Sequence, residues 1–481
     1  MKNLKLIFMF LSLAVCIVIA LFLLSKTGKA SLVASKNNAS SSIVNTQRIE
    51  SVEKVKIGGI EQWIYLTGND TSKPVLLFLH GGPGYAMMPL LHQNNRELED
   101  QFLVVNWDQR GAGLSYSKDI PETSMTLKQF VSDLHELTQY LKSRFGKKKI
   151  FIVGHSFGTV LGLEAVNKYP EDYWAFISIG QVVSFVENEQ LSYNFALKTA
   201  KQNNNIEAVR ELEKIGKPDN TGSYKYDSGY DVTMKWVEYF GGDLYGQTST
   251  EKLEDQILNS KIYKDSYDKI EAGWSFSNLI FNDDNVFAID FRKQVKKVSV
   301  PVYFFSGKHD YDTPFELAEE YYKKLEAPKK EFVWFENSAH FPFYEEPQKF
   351  NNIMINKVLP ETMNSGEMAG KWTGTYKINQ TEASFTLEIQ KNESGEYVCK
   401  FIFGPSQNNP DIRNGSFSMN ASFDTTSKSL ILTAKDWIER PEGYEMINIK
   451  GTISNNTMSG GIVSTSNSST IGSLTAQKQT Q

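Results

Sequence analysis

The chain of 481 residues contains 51 Lys and Arg against 56 Asp and Glu, which gives a formal net charge of -5. With 40% hydrophobic and 22% charged residues its composition is ordinary for globular domains, and its length allows about two to four folded units. A slightly acidic chain offers no electrostatic basis for nucleic-acid binding, so we exclude a nucleic-acid partner.

An uncharged apolar run at residues 6–24 follows Lys2 and Lys5 at the N-terminus. At about 1.5 Å per helical residue, a run of this length nearly spans the ~30 Å hydrocarbon core of a bilayer, and it is long for the apolar part of a signal peptide. We therefore predict a signal anchor or transmembrane segment over residues 1–30 and a polar linker, rich in Ser and Asn, over residues 31–48. The expected localisation is the cell membrane, single-pass with an extracytoplasmic domain, or secretion if the segment is cleaved.

The first chemical signal is the motif H-G-G-P-G at residues 80–84, which follows an unbroken apolar run at residues 75–79. The run predicts a strand that is buried on both faces. The glycines and the proline predict a turn in which backbone lies close to a substrate, although a plain tight turn would use the same residues. A second apolar run, at residues 102–105, leads into the segment N-W-D-Q-R-G-A-G-L-S at residues 106–115.

A predicted helix over residues 126–145 begins with a capping box made by Thr126 and Gln129. Within it, His135 and Glu136 match the start of the zinc-protease motif H-E-x-x-H, but Gln139 occupies the second histidine position. The sequence contains neither a dinucleotide fingerprint nor a phosphate-binding loop. We therefore expect no metal and no cofactor.

The most informative segment is G-H-S-F-G at residues 154–158, which lies between an apolar run at residues 150–153 and an amphipathic helical pattern. A strand, a sharp turn with a serine at its apex and a helix form the nucleophile elbow of serine hydrolases. This pattern predicts Ser156 as the nucleophile and the Phe157 N–H, at the start of the helix, as a donor to the oxyanion. The second donor in such folds comes from the loop after an early strand, which indicates the Gly82 N–H. A glycine-rich turn without chemistry is the alternative.

Together, the H-G-G-P-G loop, the D-Q-R-G-x-G-x-S segment at residues 108–115 and the G-x-S-x-G elbow resemble the proline iminopeptidase family of α/β-hydrolases, over roughly residues 50–360. The resemblance implies an α/β fold with a mostly parallel central sheet and a helical cap insertion, whose core comprises residues 49–180 and 291–362. It also implies release of one N-terminal residue, often proline, from short peptides through an acyl-enzyme. Asp108 and Arg110 are implied to be structural residues that brace the oxyanion loop.

A serine nucleophile needs a base and an acid, and in this fold the acid and then the histidine follow it along the chain. Five of the six histidines are excluded because they lie before or within the elbow, or ahead of the acid: His80, His92, His135, His155 and His309. His340 is therefore the predicted base. The apolar run at residues 301–306 leads into both Asp310 and Asp312, which spacing alone does not distinguish. The family's G-x-x-D pattern favours Asp310 as the acid, and Asp312 is the alternative.

An insertion over residues 181–290 separates two predicted core strands, and we interpret it as a cap that excludes water and selects the substrate. The resemblance implies that cap carboxylates bind the free amino terminus of the substrate, since a buried ammonium needs a paired anion. The candidates for substrate binding are Glu238 and Glu271, with the aromatic Trp274 nearby. Glu187 and Glu189 are alternatives, and any of these carboxylates could instead be a solvated helix residue without a role.

The substrate is therefore expected to be a short peptide or a small ester. If the cap binds no amine, the same triad would serve a carboxylesterase or lactonase that acts on a small ester. A non-catalytic surface receptor that uses the cap and the C-terminal β domain for binding is a third hypothesis, and it leaves the complete triad unexplained.

Over residues 366–478 the sequence alternates apolar and polar residues between turn signals, as at Phe385, Leu387 and Ile389. This pattern predicts about eight short strands that form a small all-β domain, either an antiparallel barrel or a sandwich. We expect a binding or spacer role for this domain, and the sequence does not identify its partner.

Overall fold

A computed structural model describes residues 48–363, 368–391, 397–424, 428–454 and 456–479. The chain divides after Ile355 into two compact units. The first unit contains a mostly parallel sheet with helices, and the second is built from antiparallel strands. The predicted fold class, an α/β sheet with a helical insertion followed by a small all-β domain, is confirmed.

One sheet organises the first unit. Its strands are β1 Ile49–Ile57, β2 Ile60–Gly68, β3 Val75–Leu79, β4 Leu103–Asp108, β5 Ile150–His155, β6 Tyr173–Ile179, β7 Val302–Gly307 and β8 Lys330–Phe335. They lie in the order β1-β2-β4-β3-β5-β6-β7-β8. The pairs β1 with β2 and β2 with β4 are antiparallel, and every pair from β4 across to β8 is parallel. β3, β4 and β5 are buried along their whole length, as unbroken apolar runs predict for strands covered on both faces.

Helices cover this sheet and form the insertion. The α-helices are α1 Pro89–Asn94, α2 Leu127–Phe145, α3 Phe157–Lys168, α4 Phe185–Gln202, α5 Ile206–Ile215, α6 Gly229–Tyr239, α7 Glu251–Leu258, α8 Tyr267–Ser277, α9 Asp284–Phe287, α10 Phe291–Gln294, α11 Phe315–Lys324, α12 Pro342–Glu345, α13 Pro347–Ile353 and α14 Leu359–Met363. Shorter 3₁₀ helices are Arg96–Asp100, Gly113–Ser115, Glu122–Ser124, Pro170–Asp172 and Asn278–Asn282, and a π-helical segment spans Met354–Val358. In α2 the Thr126 hydroxyl accepts a hydrogen bond from the Gln129 N–H at 3.3 Å, as an N-cap residue should.

The carboxyl ends of the parallel strands meet at one edge of the sheet, because neighbouring parallel strands run in the same direction. The loop after β3 carries the H-G-G-P-G motif, and Ser156 follows β5 directly. The loops after β7 and β8 carry Asp310 and His340. Residues that are far apart in the chain therefore lie at the same edge.

The insertion between β6 and β7 is the cap, and it contains α4 to α10. Three of its helices, α4, α5 and α6, pack around a separate apolar cluster that includes Ala196, Leu212 and Val237. The cap therefore has a small core of its own beside the main core beneath the sheet.

The second unit is a barrel. Its strands are β9 Gly370–Ile378, β10 Thr381–Lys391, β11 Tyr397–Gly404, β12 Gly415–Asp424, β13 Ser429–Glu439, β14 Ile447–Ser454, β15 Thr457–Ser464 and β16 Thr470–Lys478. They form a closed antiparallel barrel in which β16 returns to pair with β9. Inward residues such as Trp372, Phe385 and Leu387 are buried in its core. The structure thus decides between the two predicted architectures, and closure removes the unpaired strand edges that a sandwich keeps.

The prediction of a cell-membrane localisation is wrong for the part of the chain that the structure describes. Within residues 48–479, apart from the gaps given above, no helix is both long enough and apolar enough to cross a bilayer. The apolar segment on which the prediction depended, residues 6–24 of the predicted anchor, lies outside the described residues.

Candidate active site

The turn between β5 and α3 presents Ser156 in a strained backbone conformation, with φ 53° and ψ -123°. The Ser156 N–H donates a hydrogen bond to the Ile179 carbonyl at 2.9 Å, which fixes the turn to the neighbouring strand β6. A Cβ at Gly158 would lie 2.8 Å from the His80 carbonyl oxygen, so only glycine allows α3 to begin this close to the end of β3. The geometry is that of a nucleophile elbow.

The H-G-G-P-G loop lies against this serine. A Cβ at Gly81 would come within 2.6 Å of the Ser156 Cβ, so the loop backbone reaches the serine only because residue 81 is glycine. His80 holds the loop: its Nε2 accepts a hydrogen bond from the Gln109 N–H at 3.1 Å, and burial lowers its pKa to about 4. The ring is therefore neutral, and its Nδ1–H donates to the Gly81 carbonyl at 2.9 Å. The predicted oxyanion donors, the Gly82 and Phe157 N–H groups, belong to this loop and to the first residue of α3.

His340 and Asp310 form a buried hydrogen-bonded pair, with 3.0 Å between His340 Nδ1 and Asp310 Oδ2. The Asp310 carboxylate also accepts hydrogen bonds from the N–H of Asp312 at 3.1 Å, the N–H of Thr313 at 2.8 Å and the Thr313 hydroxyl at 3.0 Å. The backbone thus fixes the carboxylate, and the carboxylate fixes the orientation of the imidazole. Asp312, the alternative acid, makes no contact with Nδ1 among the described residues; its Oδ2 lies 3.5 Å from His340 Nε2, on the opposite side of the ring.

The electrostatic environment of His340 is strongly negative. Burial alone would lower the pKa of its imidazole, but the carboxylates of Asp310, Asp312 and Asp243 raise it to about 10. Ser156 and His340 line the same cavity, and within the described chain no hydrogen bond joins the Ser156 hydroxyl to the ring. Such a bond is often long before substrate binds.

The loop that carries His340 is held by Glu345, a residue that the sequence analysis did not single out. Its carboxylate accepts hydrogen bonds from the N–H groups of Ala339, Phe341 and Tyr245, at 2.9, 3.0 and 2.7 Å. The His155 ring supports the loop from below, because its Nε2–H donates to the His340 carbonyl at 2.9 Å. No local sequence pattern marks Glu345, because the groups that it binds meet only in the folded chain.

A cavity of about 320 Å³ opens in front of Ser156. Four carboxylates from three parts of the chain line it: Glu238 on α6, Asp243 after α6, Glu254 on α7 and Asp312 after β7. Burial raises the pKa of Asp243, Glu254 and Asp312. No Lys or Arg lies among the residues of the described chain that line the cavity. An unpaired cation would be stabilised here more than an anion or a neutral group.

A second cavity, of about 60 Å³, adjoins the first at Ser156 and Asp312. It is lined by the aromatic rings of Phe157, Phe185, Phe281 and Phe287, which contact one another edge to face or at a tilt. Its size and its aromatic side suit a small aliphatic group bound beside Ser156, while Glu189 and Asp312 line the rest of it.

The structure brings some of the predicted substrate-binding residues to the site and not others. Glu238 and Trp274 line the larger cavity, while Glu271 lies three residues before Trp274 on α8 and is not among the lining residues. Of the alternatives, Glu189 lines the smaller cavity, and Glu187 forms an ion pair with Arg292 at 2.9 Å.

The Asp243 and Glu254 carboxylates were not predicted. Asp243 follows α6, and Glu254 lies in the first turn of α7, so the sequence around each offers only charged cap residues without a motif. Their common position in front of Ser156 depends on how the cap helices pack, which spacing along the chain does not encode.

Asp108 and Arg110 lie away from the cavity and hold the surrounding loops. Asp108 accepts hydrogen bonds from the Tyr263 hydroxyl at 2.5 Å and the Leu114 N–H at 2.8 Å. Arg110 donates to Asp133 at 2.8 Å and to the Gly58 carbonyl at 2.8 Å. Among the described residues, no cluster of three or more His, Cys, Asp and Glu could hold a metal ion.

Residues 74–347 match the family model of the alpha/beta hydrolase fold. The chain is 33% identical over 317 residues to the probable aminopeptidase YbaC of Bacillus subtilis, covering 65% of this chain and 97% of that protein. It is 27% identical over 297 residues to the proline iminopeptidase of Clostridium botulinum, covering 61% of this chain and 91% of that protein. The crystal structure of proline iminopeptidase from Mycobacterium smegmatis is 18% identical with a TM-score of 0.45, covering 66% of this chain and all of that one. Since the family match spans more than half of the sequence and agrees with the observed sheet and elbow, the chain belongs to the alpha/beta hydrolase fold family.

Proposed function

We propose that the chain is a serine hydrolase that removes a small N-terminal residue, such as proline, from short peptides. The observation that carries this proposal is the cavity in front of Ser156, which combines a nucleophile elbow, a histidine oriented by a carboxylate and four carboxylates with no Lys or Arg among the described lining residues. Relatives described as a probable aminopeptidase and as proline iminopeptidases support the same assignment.

In this proposal Ser156 attacks the acyl carbon of the first residue of the peptide. His340 accepts the hydroxyl proton at Nε2 and then donates it to the leaving amine, while Asp310 holds the Nδ1–H tautomer. The N–H groups of Gly82 and Phe157 stabilise the oxyanion, each contributing about 3–4 kcal/mol of transition-state stabilisation. Water then enters and hydrolyses the acyl-enzyme by the reverse sequence of proton transfers.

The acidic cavity is the reason that we propose a substrate with a free amino terminus. A substrate ammonium beside Glu238 and Asp243 would neutralise charge that burial makes costly, and Trp274 would cover one side of it. The aromatic walls of the smaller cavity would accept the side chain of the residue to be released. The assignment of Glu271 to substrate binding stays a prediction from the sequence.

The test uses the purified full-length chain with three substrate sets: prolyl and alanyl anilides with a free amine, the same anilides with an acetylated amine, and short-chain aryl esters. We expect turnover of the free-amine anilides at least tenfold above the acetylated ones. Ser156→Ala should abolish turnover, while Ser117→Ala, at an exposed serine, should leave it unchanged. Turnover of the esters without turnover of any anilide would refute the peptidase assignment and favour a carboxylesterase or lactonase.

A further inference from the structure

We infer that Asp312 is a specificity-determining residue, which holds the His340 Nε2–H in the substrate-free protein and releases it when a ligand ammonium binds the Asp312 carboxylate. This inference rests on the proposed function, because it concerns how Ser156 becomes activated. In this inference the free amine of the substrate is required for the activation of Ser156 and also contributes to binding.

The position of Asp312 on the imidazole is the first step of the argument. Asp310 binds Nδ1 at 3.0 Å, and Asp312 Oδ2 lies 3.5 Å from Nε2, so a carboxylate faces each ring nitrogen. An imidazole with one carboxylate hydrogen-bonded to Nδ1 and a second at ion-pair distance from Nε2 is stabilised as the doubly protonated cation, because both carboxylates attract its positive charge. In that state Nε2 has no lone pair to accept the Ser156 proton.

The Asp312 carboxylate is also placed where a ligand can reach it. Its main chain is fixed, because its N–H donates to Asp310 at 3.1 Å and its carbonyl accepts from the Asn188 side chain at 2.7 Å. Its side chain is 29% exposed, whereas that of His340 is 2% exposed, and Asp312 lines both cavities. A cation bound in either cavity can therefore contact the Asp312 carboxylate.

The charged groups around the imidazole identify the class of ligand. Asp310 and Asp312 approach from the loop after β7, Asp243 from the segment after α6, and the neutral His155 from the end of β5. Glu238 on α6 adds to the negative charge at Asp312 and Asp243, and the buried Glu189 on α4 lines the smaller cavity together with Asp312. The lining residues of the described chain include no Lys or Arg, so the only permanent cation available to these carboxylates is one supplied by the ligand.

The proton balance follows from these positions. A substrate ammonium binds Asp312 and brings one positive charge into the cavity. The Nε2 proton of His340 then leaves to solvent through the open cavity, so that the net charge of the site is unchanged and Nε2 gains its lone pair. Ser156 transfers its hydroxyl proton to that lone pair as it attacks. A neutral ester or an acetylated amine brings no positive charge to Asp312. The Asp312 carboxylate then stays beside the imidazolium, and Nε2 keeps its proton.

The experiment measures the rate at which an uncharged fluorophosphonate labels Ser156, as a function of pH, in the full-length wild type, in Asp312→Asn and in Asp119→Asn. The last variant, Asp119→Asn, changes an exposed aspartate outside the proposed site and serves as the matched control. In the wild type we expect the labelling rate to rise with pH around a midpoint well above the ordinary histidine value of about 6.5. In Asp312→Asn the midpoint should fall by at least one pH unit, which at neutral pH means labelling about tenfold faster.

A second measurement adds a ligand cation to the wild type and to Asp312→Asn. At pH 7, pyrrolidinium chloride should accelerate labelling of the wild type several-fold, while sodium chloride and N-acetylpyrrolidine at the same concentration should not. The acceleration should be absent in Asp312→Asn. An unchanged midpoint in Asp312→Asn, or equal acceleration in both proteins, would overturn this inference while leaving the proposed function intact. Absence of Ser156 labelling at every pH would instead overturn the proposed function itself.

Discussion

Replacing the acid of the proposed triad, Asp310→Asn, separates the two aspartates that the sequence could not separate. Asp310 Oδ1 accepts the N–H groups of Asp312 and Thr313, so the asparagine carbonyl must take that place to avoid facing two donors. The amide NH₂ then points toward His340 Nδ1, where the carboxylate Oδ2 lies 3.0 Å away in the wild type. The substitution therefore stabilises the tautomer that carries its proton on Nε2.

The expected loss follows from that tautomer. An imidazole with its proton on Nε2 cannot accept the Ser156 proton, and the stabilising charge for the imidazolium is lost as well. We expect kcat to fall about 10⁴-fold, the magnitude that this change produces in serine proteases with the same arrangement, with little change in KM. The fold should survive, because the asparagine keeps the two backbone hydrogen bonds.

The assay compares kcat/KM on the best anilide substrate for wild type, Asp310→Asn and Asp312→Asn, with far-UV circular dichroism as the control for folding. On a neutral aryl ester, assayed in parallel, Asp312→Asn should be at least as active as the wild type, because its side chain does not contact Nδ1 and the variant no longer stabilises the Nε2–H form of His340. If Asp310→Asn stays within tenfold of the wild type while Asp312→Asn loses at least a thousandfold, the reasoning is refuted and Asp312 is the acid.

Three further predictions concern the surroundings of the site and the barrel. Gly81→Ala places a methyl group 2.6 Å from the Ser156 Cβ, so fluorophosphonate labelling should fall at least a hundredfold while the melting temperature changes little; unchanged labelling would contradict the oxyanion-loop assignment. Burial raises the pKa of Asp108 from 3.8 to about 7. The folded chain therefore binds more protons than the unfolded chain between these values and loses stability as pH rises. Asp108→Asn removes this loss. In urea unfolding, the free energy of unfolding of the variant should therefore rise by about 3 kcal/mol relative to that of the wild type as the pH goes from 5 to 8. A difference between the two free energies that does not change with pH would contradict this. Trp372 is fully buried, and its indole N–H donates to the Met368 carbonyl at 2.9 Å. Trp372→Ala should destabilise the barrel by about 3–5 kcal/mol. Unfolding experiments should show this as a lowered transition of the barrel, while anilide turnover is retained.

The sequence predicted those parts of the site that lie in contiguous motifs. The elbow at Ser156 could be predicted because one strand, one turn and one helix follow each other without interruption in the G-x-S-x-G motif. His340 could be predicted because the chain has only six histidines and the order of acid and base is constrained by the fold. Both arguments need no knowledge of packing.

The remaining parts depend on contacts between distant elements. Glu345 holds the His340 loop through three backbone N–H groups, one of which, at Tyr245, lies 100 positions earlier in the chain. Asp243 and Glu254 follow or lie on different cap helices, and the folded cap brings both carboxylates to the cavity. The barrel could be predicted as all-β from its alternation, but closure depends on the pairing of β16 with β9 across the whole domain.

The residues proposed to react and the residues proposed to select the substrate lie on different parts of the fold. Ser156, Asp310 and His340 lie on loops whose shapes are fixed by backbone hydrogen bonds at the sheet edge. Glu238 and Glu254 lie on cap helices, and neither makes a hydrogen bond to those three residues within the described chain. In the proposed mechanism, a change of cap carboxylates can therefore alter which substrate binds while the proposed nucleophile, base and oxyanion donors stay in place. The carboxylate of Asp312 faces both the cavity and the His340 ring, and the role inferred for it therefore links recognition of a substrate amine to the proposed chemistry.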